Sequence, residues 1–199
     1  MRVRPFATCD LAGMYRVCLL TGDAGADATP VYRDPDLLGH VYAGPYPVAD
    51  PGLTFVVADD EGVAGYIVAT ADTGGFERWR EENWWPVLRE QYPPVADPQD
   101  GTEDHVLIGR VHETWRTDEP HLAAYPAHMH IDLLPRAQGG GLGRELVATL
   151  AAALRARGVT GLHLGVSKEN PGAIAFYRRV GFETLEELPW GYLLGLSLA

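Results

Sequence analysis

The chain has 199 residues, 46% hydrophobic and 22% charged, the composition of an ordinary globular domain with a core of its own. Its formal net charge of −11 argues against nucleic acid as the main partner, because phosphate backbones are bound by cationic surfaces. No stretch approaches the ~20 consecutive apolar residues that span a bilayer, and no apolar run follows the N-terminal arginines, so we expect a cytoplasmic protein that does not bind membranes.

The start of the chain predicts a short strand followed by a helix. Residues 1–5 are strand-like, and residues 11–19 place apolar side chains at intervals of three and four, the spacing of one buried helical face. Asp10 is the residue type that caps a helix start. Cys9 and Cys18 are expected to be core thiols, since ~13 Å of helix would separate them.

The next segment predicts a second helix and then a β-hairpin. Residues 32–42 predict a short helix, and the proline-rich residues 44–52 predict turns. Residues 53–58 and 63–71 are apolar and β-branched and are joined by Asp-Asp-Glu-Gly, which indicates a hairpin.

A helical insertion is predicted between strands 3 and 4, at about residues 74–120. Its first part, 76–92, is rich in tryptophan and ends at a double proline, which stops a helix. Residues 95–101 predict a loop, and residues 105–115 predict a further helix.

The rest of the chain alternates strands and helices without a linker, a repeat or a low-complexity segment. Together with the first half, this order predicts a single α/β domain over residues 1–199. The predicted elements are a strand at 127–134, a glycine loop, a helix at 142–157, a strand at 162–166, a helix at 170–181 and strands at 182–187 and 190–198.

The glycine loop QGGGLG, residues 138–143, has four candidate explanations. A flexible linker is excluded because periodic apolar elements adjoin the loop on both sides. A nucleotide-hydrolase phosphate loop needs a following Lys, and a dinucleotide-binding loop needs glycine where Arg144 stands. The remaining use is a turn that presents backbone N–H groups and a helix N-terminus to a diphosphate.

Two motifs resemble the GNAT acetyltransferases. The pattern Gln-x-x-Gly-x-Gly, here residues 138–143 between a strand and a long helix, resembles the family's acyl-coenzyme A pyrophosphate loop. The segment NPGAIAFYRRVGF resembles the family's next helix, with Asn170 at its start and Tyr177 near its end. This resemblance implies the GNAT fold, an α/β fold with a central mixed, mostly antiparallel twisted sheet of about six or seven strands flanked by helices.

From about residue 32 onward the chain also resembles the acetyltransferase-like C-terminal domain of the O-GlcNAcases. The segments that carry this resemblance are PDLLGHVYAGPY, FVVADDEGVAGYIVATAD, WWPVLREQYP and YPAHMHIDL. The animal domain lacks the glycine loop and is generally regarded as a pseudo-acetyltransferase, whereas this chain keeps the loop. Two alternatives follow: an acetyl-CoA-dependent N-acetyltransferase, or a non-catalytic module that binds acyl-CoA or a protein or peptide partner.

The GNAT resemblance implies acetyl-CoA as co-substrate, no metal, and a set of cofactor contacts. The backbone at 133–134 would pair with the pantetheine arm and polarise the thioester oxygen, and the loop N–H groups would hold the pyrophosphate. Two arginines beside the loop would add positive charge. The candidate cofactor-binding residues are Leu133, Leu134, Arg136, Gln138, Gly139, Gly140, Gly141, Leu142, Gly143, Arg144, Asn170, Ala173, Phe176 and Tyr177.

Three residues are candidates for catalysis: Asp132, His130 and Tyr177. By the same resemblance, Tyr177 would donate a proton to the coenzyme A sulfur. His130 and Asp132 alternate along one predicted strand with His128, so their side chains share a face. Asp132 is expected to have a pKa raised by burial, while His130 has the better ordinary pKa for a base, so the base stays open. With His121 the same residues are also of metal-ligand type, but acetyl transfer needs no metal.

The acceptor is expected to be an amine on a small molecule or a peptide, and the sequence does not identify it. Asp72, residues 42–46 and the tryptophan-rich helix at 79–85 are candidates for the acceptor side. The two C-terminal strands could pair across a homodimer.

Overall fold

The structure is a computed structural model that describes residues 1–94, 101–113 and 119–199. These residues form a seven-stranded sheet in the order β1-β2-β3-β4-β5-β7-β6, with α-helices on both faces. The strands are β1 (Arg2–Pro5), β2 (Thr54–Asp59), β3 (Gly62–Thr70), β4 (Ala127–Leu133), β5 (Gly161–Ser167), β6 (Glu183–Glu187) and β7 (Gly191–Ser197). The helices are α1 (Leu11–Leu20), α2 (Leu37–Tyr42), α3 (Pro45–Ala49), α4 (Thr73–Trp79), α5 (Trp85–Gln91), α6 (Asp104–His112), α7 (Leu142–Ala156) and α8 (Pro171–Arg179).

All neighbouring strands in this sheet are antiparallel except β4 and β5, which run parallel. The predicted mixed, mostly antiparallel sheet flanked by helices is therefore confirmed. The predicted helical insertion between β3 and β4 is also present, as α4, α5 and α6. Within the described ranges, no helix is both long and apolar enough to cross a membrane.

Each face of the sheet carries its own apolar cluster. On one face α7 packs through Leu146, Leu150 and Leu154, whose spacing by four places them on one side of the helix, and all three are fully buried. On the other face α1 packs through Met14 and Cys18 in a cluster that includes Tyr66 and Val68 of β3. Burial contributes ~1.5–3 kcal/mol for each such large side chain, so truncating any of the α7 leucines would loosen the sheet behind the glycine loop.

The second helix is shorter than predicted, because side chains satisfy the backbone before it. Asp104 accepts hydrogen bonds from the backbone N–H groups of Arg33 and Asp34 at 2.9 and 3.2 Å. The Asp34 side chain in turn accepts from the N–H of Asp36 at 2.9 Å. These local bonds replace a helical turn, so α2 begins at Leu37. The predicted turn segment 44–52 also differs, since it contains the short helix α3.

The predicted aromatic helix begins three residues early, at Thr73, and continues to Gln91 through a π-helical turn at Arg80–Trp84. Pro86 explains the π turn, because it lacks an N–H and cannot close the regular hydrogen bond one turn back. Residues 95–100 and 114–118 lie outside the described residues, and with them most of the predicted loop at 95–101 and the end of the predicted helix at 105–115.

Two local expectations were wrong. The Asp10 carboxylate does not cap α1, because it binds the Arg4 guanidinium at 2.6 and 2.7 Å and the N–H of Ala7 at 2.8 Å. Cys9 is exposed rather than a core thiol. Trp190 is 57% exposed and precedes β7, which is paired on both edges within the sheet. A homodimer through the C-terminal strands stays a prediction and would have to use β6, the strand at that edge.

Candidate active site

The parallel strands β4 and β5 separate soon after they meet. They pair only at Ala127 with Leu162 and at His128 with His163. Beyond these pairs β4 continues to Leu133 and β5 to Ser167, each still bonded to its antiparallel neighbour. The gap that opens between them leaves β4 without a neighbouring strand on one side beyond His128.

The register of β4 with β3 decides which backbone groups face this gap. Leu134 donates its N–H to the carbonyl of Ala64 at 2.8 Å, toward β3. In an antiparallel ladder the direction alternates, so Ile131 and Leu133 point their N–H and C=O groups away from β3, toward the gap. The Leu133 carbonyl accepts a hydrogen bond from Gln138 Nε2 at 2.9 Å on this side. The open edge is therefore formed by Ile131 and Leu133, whereas the sequence argument had selected Leu133 and Leu134.

The glycine loop turns the chain from β4 into α7. Gly139 and Gly141 have φ angles of 78° and 86°, in the left-handed region where glycine is favoured, and Gly141 is the N-cap of α7. The first intrahelical bond runs from Glu145 N–H to the Gly141 carbonyl at 3.0 Å, so the N–H groups of residues 142–144 are free of helical partners. Such a helix start attracts an anion.

Gly143 lets α7 lie close to its neighbours. A Cβ atom at this position would meet the ring of Phe176 and the Leu133 side chain, both at 3.2 Å. The start of α7, the middle of α8 and the end of β4 are thus packed against one another around the mouth of the gap.

A cavity of about 500 Å³ fills the space between these elements. It is lined by most of the residues that the sequence selected, and by side chains of the segment after α1 on the opposite side. The selected residues that line it are Asp132, Leu133, Gln138, Gly139, Gly141, Gly143, Arg144, Asn170, Ala173, Phe176 and Tyr177. The selected residues that do not line it are His130, Leu134, Arg136, Gly140 and Leu142.

Asp132 is the carboxylate of β4 that reaches this cavity. Its Oδ2 accepts a 2.5 Å hydrogen bond from the hydroxyl of Tyr66, its register partner on β3. Burial raises the pKa of Asp132 to about 6, and the Tyr66 bond opposes part of that rise. A carboxylate with this pKa is mostly ionised at neutral pH yet can accept a proton.

Tyr177 lines the cavity from α8 and is 8% exposed. Its ring packs against those of Phe176 and Phe182 at centroid distances of 5.4 and 5.5 Å. Burial, with a further contribution from the Asp132 charge, raises the pKa of Tyr177 above its ordinary value. The phenol is therefore protonated at neutral pH and able to donate.

Asn170 caps α8, as its Oδ1 accepts from the N–H of Ala173 at 2.9 Å. Its amide nitrogen faces Gly25 across the cavity, 3.2 Å from where a Cβ of that glycine would lie. Asn170 therefore caps α8 with its carbonyl oxygen, while its amide nitrogen lies beside Gly25.

His128 is held in one tautomer by its neighbours. The Thr73 hydroxyl gives its only hydrogen to the Pro126 carbonyl at 2.8 Å, so it accepts from His128 Nδ1, also at 2.8 Å. His128 Nε2 must then accept from the Tyr46 hydroxyl at 2.8 Å. Burial lowers the pKa of His128 well below its ordinary value, so it stays a neutral structural residue.

His130 shares the strand face of Asp132 but sits in an aromatic cluster outside the cavity. Its ring meets those of Tyr42 and Tyr46 edge-on at 5.4 and 5.5 Å. Burial first, and then the positive charge of Arg80, lower the pKa of His130 to about 4. The ordinary order of basicity is therefore reversed, with Asp132 the stronger base of the two.

The two arginines beside the loop have different surroundings. Arg136 turns away from the cavity and pairs with Asp59 at 3.4 Å and Glu61 at 3.9 Å. Arg144 lines the cavity and forms no ion pair with any residue in the described ranges. Arg144 is therefore a cation available to an anionic ligand.

Several lining residues were missed by the sequence argument. Thr21, Ala24 and Gly25 reach the cavity from the segment after α1, and Arg179 reaches it from the end of α8. Of these four residues, only Ala24 and Gly25 could have been suspected from the sequence, because they belong to the small-residue segment DAGAD. Their φ angles are 49° and 95°. No group of three or more His, Cys, Asp or Glu side chains in the described ranges is placed to hold a metal ion.

Comparison with protein families and curated proteins identifies relatives. The acetyltransferase (GNAT) family matches residues 26–182. Protein O-GlcNAcase of Rattus norvegicus is 25% identical over 180 residues, which are 90% of this chain and 20% of that protein. Mycothiol acetyltransferase of Saccharomonospora viridis is 50% identical over 52 residues, 26% of this chain and 17% of that protein. The chain thus spans about a fifth of the length of these relatives.

Solved structures share the fold. SsHAT superimposes with a TM-score of 0.92 at 38% identity, covering 100% of this chain and 98% of that one. Phosphinothricin acetyltransferase of Sinorhizobium meliloti, in complex with acetyl-CoA, has a TM-score of 0.56 at 18% identity, covering 100% of this chain and 88% of that one, and shares the fold alone. Since the family match includes most of the chain, this protein belongs to the acetyltransferase (GNAT) family.

Proposed function

We propose that this protein binds acetyl-CoA in the gap between β4 and β5 and transfers the acetyl group directly to an amine. The observation that carries this proposal is the single cavity of about 500 Å³ that joins four features. They are an anion-attracting helix start, an open strand edge, an ionisable carboxylate and a protonated phenol.

The glycine loop and α7 would hold the diphosphate. Free N–H groups at residues 142–144 and the positive φ of Gly139 and Gly141 support this role, with Arg144 adding a positive charge. The open backbone of Ile131 and Leu133 would pair with the pantetheine arm as an added strand does. A backbone N–H on this edge would polarise the thioester carbonyl.

The side chains would move the protons. Bound acetyl-CoA would supply the activated thioester. Asp132, ionised above a pKa of about 6, would take the proton from the acceptor's ammonium group. Tyr177, kept protonated by burial, would donate to the leaving sulfur. His130 would take no proton near neutral pH, because its pKa of about 4 makes it the weaker base.

The acceptor we propose is an amine on a small molecule or a peptide, and the test combines binding with turnover. Calorimetric titration with acetyl-CoA should show saturable binding, and thiol release should depend on an added amine from a broad panel. Absence of acetyl-CoA binding would refute the proposal. Binding without amine-dependent turnover would instead favour the alternative of a non-catalytic module that binds acyl-CoA. The similarity to a segment of protein O-GlcNAcase is the reason for testing this alternative.

A further inference from the structure

A buried tyrosine stands directly behind the cavity carboxylate. Tyr66 lies in the middle of β3, is fully buried, and is the register partner of Asp132 on β4. Its hydroxyl donates to Asp132 Oδ2 at 2.5 Å. Cys18 of α1 is buried in the same apolar cluster as Tyr66, so this donor is held away from solvent.

Tyr66 is the committed hydrogen-bond donor to Asp132. The Thr21 hydroxyl lines the same cavity as the carboxylate, but its single hydrogen is directed to the Val17 carbonyl at 2.8 Å. The other groups that face Asp132 are uncharged near neutral pH or lie farther out in the cavity. Among the described residues these groups are Cys18 from α1, Thr21 just after α1, Tyr66 from β3, His130 from the same strand, Tyr177 from α8, and the cavity residues Arg144 and Arg179.

We propose that Tyr66 is a positioning residue for acetyl transfer, whose hydroxyl fixes one oxygen of Asp132 and favours the ionised carboxylate, leaving the other oxygen for the acceptor's ammonium group. This role rests on the proposed function of Asp132 as the base. Burial alone would keep the carboxyl protonated at neutral pH, and a buried base that is already protonated cannot accept the ammonium proton.

The physical consequence is a shift in titration. Burial raises the pKa of Asp132, and the Tyr66 hydrogen bond is the largest effect that lowers it, with a net value of about 6. A hydrogen bond to a charged acceptor corresponds to about one to two pH units of titration. Removing the hydroxyl therefore removes a stabilisation of the charged form, and the pKa of Asp132 rises.

The test is Tyr66→Phe, which keeps the ring. In the profile of kcat/KM against pH, the acidic limb should move to higher pH by about one to two units. The rate at pH 7 should fall about two- to tenfold and recover at alkaline pH, which a merely structural defect would not do. Tyr15→Phe is the matched control, since it removes a hydroxyl bonded to His40 Nδ1 at 2.9 Å and should leave the limb in place. An unmoved limb in Tyr66→Phe would overturn the proposal.

A second measurement needs no substrate. Carboxyl ¹³C chemical shifts, with Asp132 assigned through Asp132→Asn, report its titration directly and should show the same upward shift in Tyr66→Phe. Replacing Tyr66 by 3-fluorotyrosine, a stronger donor, should shift the titration downward, which keeps the proposal testable if the Phe variant does not fold. Equal titration of the Asp132 carboxyl in wild type, in Tyr66→Phe and in the 3-fluorotyrosine protein would overturn the proposal. A wild type that titrates as expected but transfers no acetyl group would refute the proposed function, and with it the catalytic role of Tyr66.

Discussion

Substitutions at Gly141 test the anion site, because the Asn and Asp variants differ from each other by a single negative charge. Gly141 is the N-cap of α7, has a φ of 86°, and lines the cavity. Nothing lies within 4 Å of the position that a Cβ would take. Asn and Asp both tolerate positive φ and are both good N-caps, so Gly141→Asn and Gly141→Asp should fold with similar stability.

The expected difference in binding follows from electrostatics. A carboxylate at Gly141 would lie ~5 Å from a diphosphate held by the loop, where each pair of like charges costs ~1–3 kcal/mol between water-like and protein-like dielectric. The dissociation constant for acetyl-CoA should therefore be roughly 5- to 100-fold higher for Gly141→Asp than for Gly141→Asn. Added salt should narrow this ratio, because exposed charges are screened.

The assay is calorimetric titration of both variants and wild type with acetyl-CoA, with thermal unfolding measured alongside. Similar melting temperatures would show that binding, and not folding, has changed. Equal affinities of the folded Asp and Asn variants would refute the assignment of the loop to the diphosphate.

Three further substitutions separate the remaining roles. Asp132→Asn should lower kcat/KM by ~10²–10⁴-fold. The wild-type rate should rise as the pH increases through about 6, because the carboxylate is the active form. Profiles of rate against pH for both proteins check this, and a variant as fast as wild type would contradict it. Tyr177→Phe should lower kcat by ~10² with little change in acetyl-CoA affinity; wild-type turnover would leave Tyr177 a packing residue. Arg144→Gln should weaken acetyl-CoA binding about two- to fivefold, and Arg136→Gln, already paired with Asp59, should not; calorimetry showing equal losses would contradict this contrast.

The family and the fold could be predicted because their signals are local. Leucines spaced by four along α7 define its buried side, and the glycines before it meet a backbone requirement, as the positive φ of Gly139 and Gly141 shows. The prediction of the GNAT family is confirmed, and so is the helix-flanked sheet. Such features depend on residues close in sequence, which a pattern can reveal.

The finer features of the site depend on contacts between distant residues. Whether Leu133 or Leu134 faces the gap is decided by the register with β3, about which the sequence of β4 carries no information. Arg136 is removed from the cavity by Asp59, a residue on another strand. The reversed basicity of His130 and Asp132 arises from the burial of both groups and from the positive charge of Arg80 near His130, and these surroundings form only on folding.

A crystal structure of this protein with acetyl-CoA tests the central claim most directly. The account predicts the diphosphate against the N–H groups of the glycine loop and the start of α7, the pantetheine arm along Ile131 and Leu133, and the thioester between Asp132 and Tyr177. Acetyl-CoA bound away from the gap between β4 and β5, or a thioester out of reach of both side chains, would contradict it.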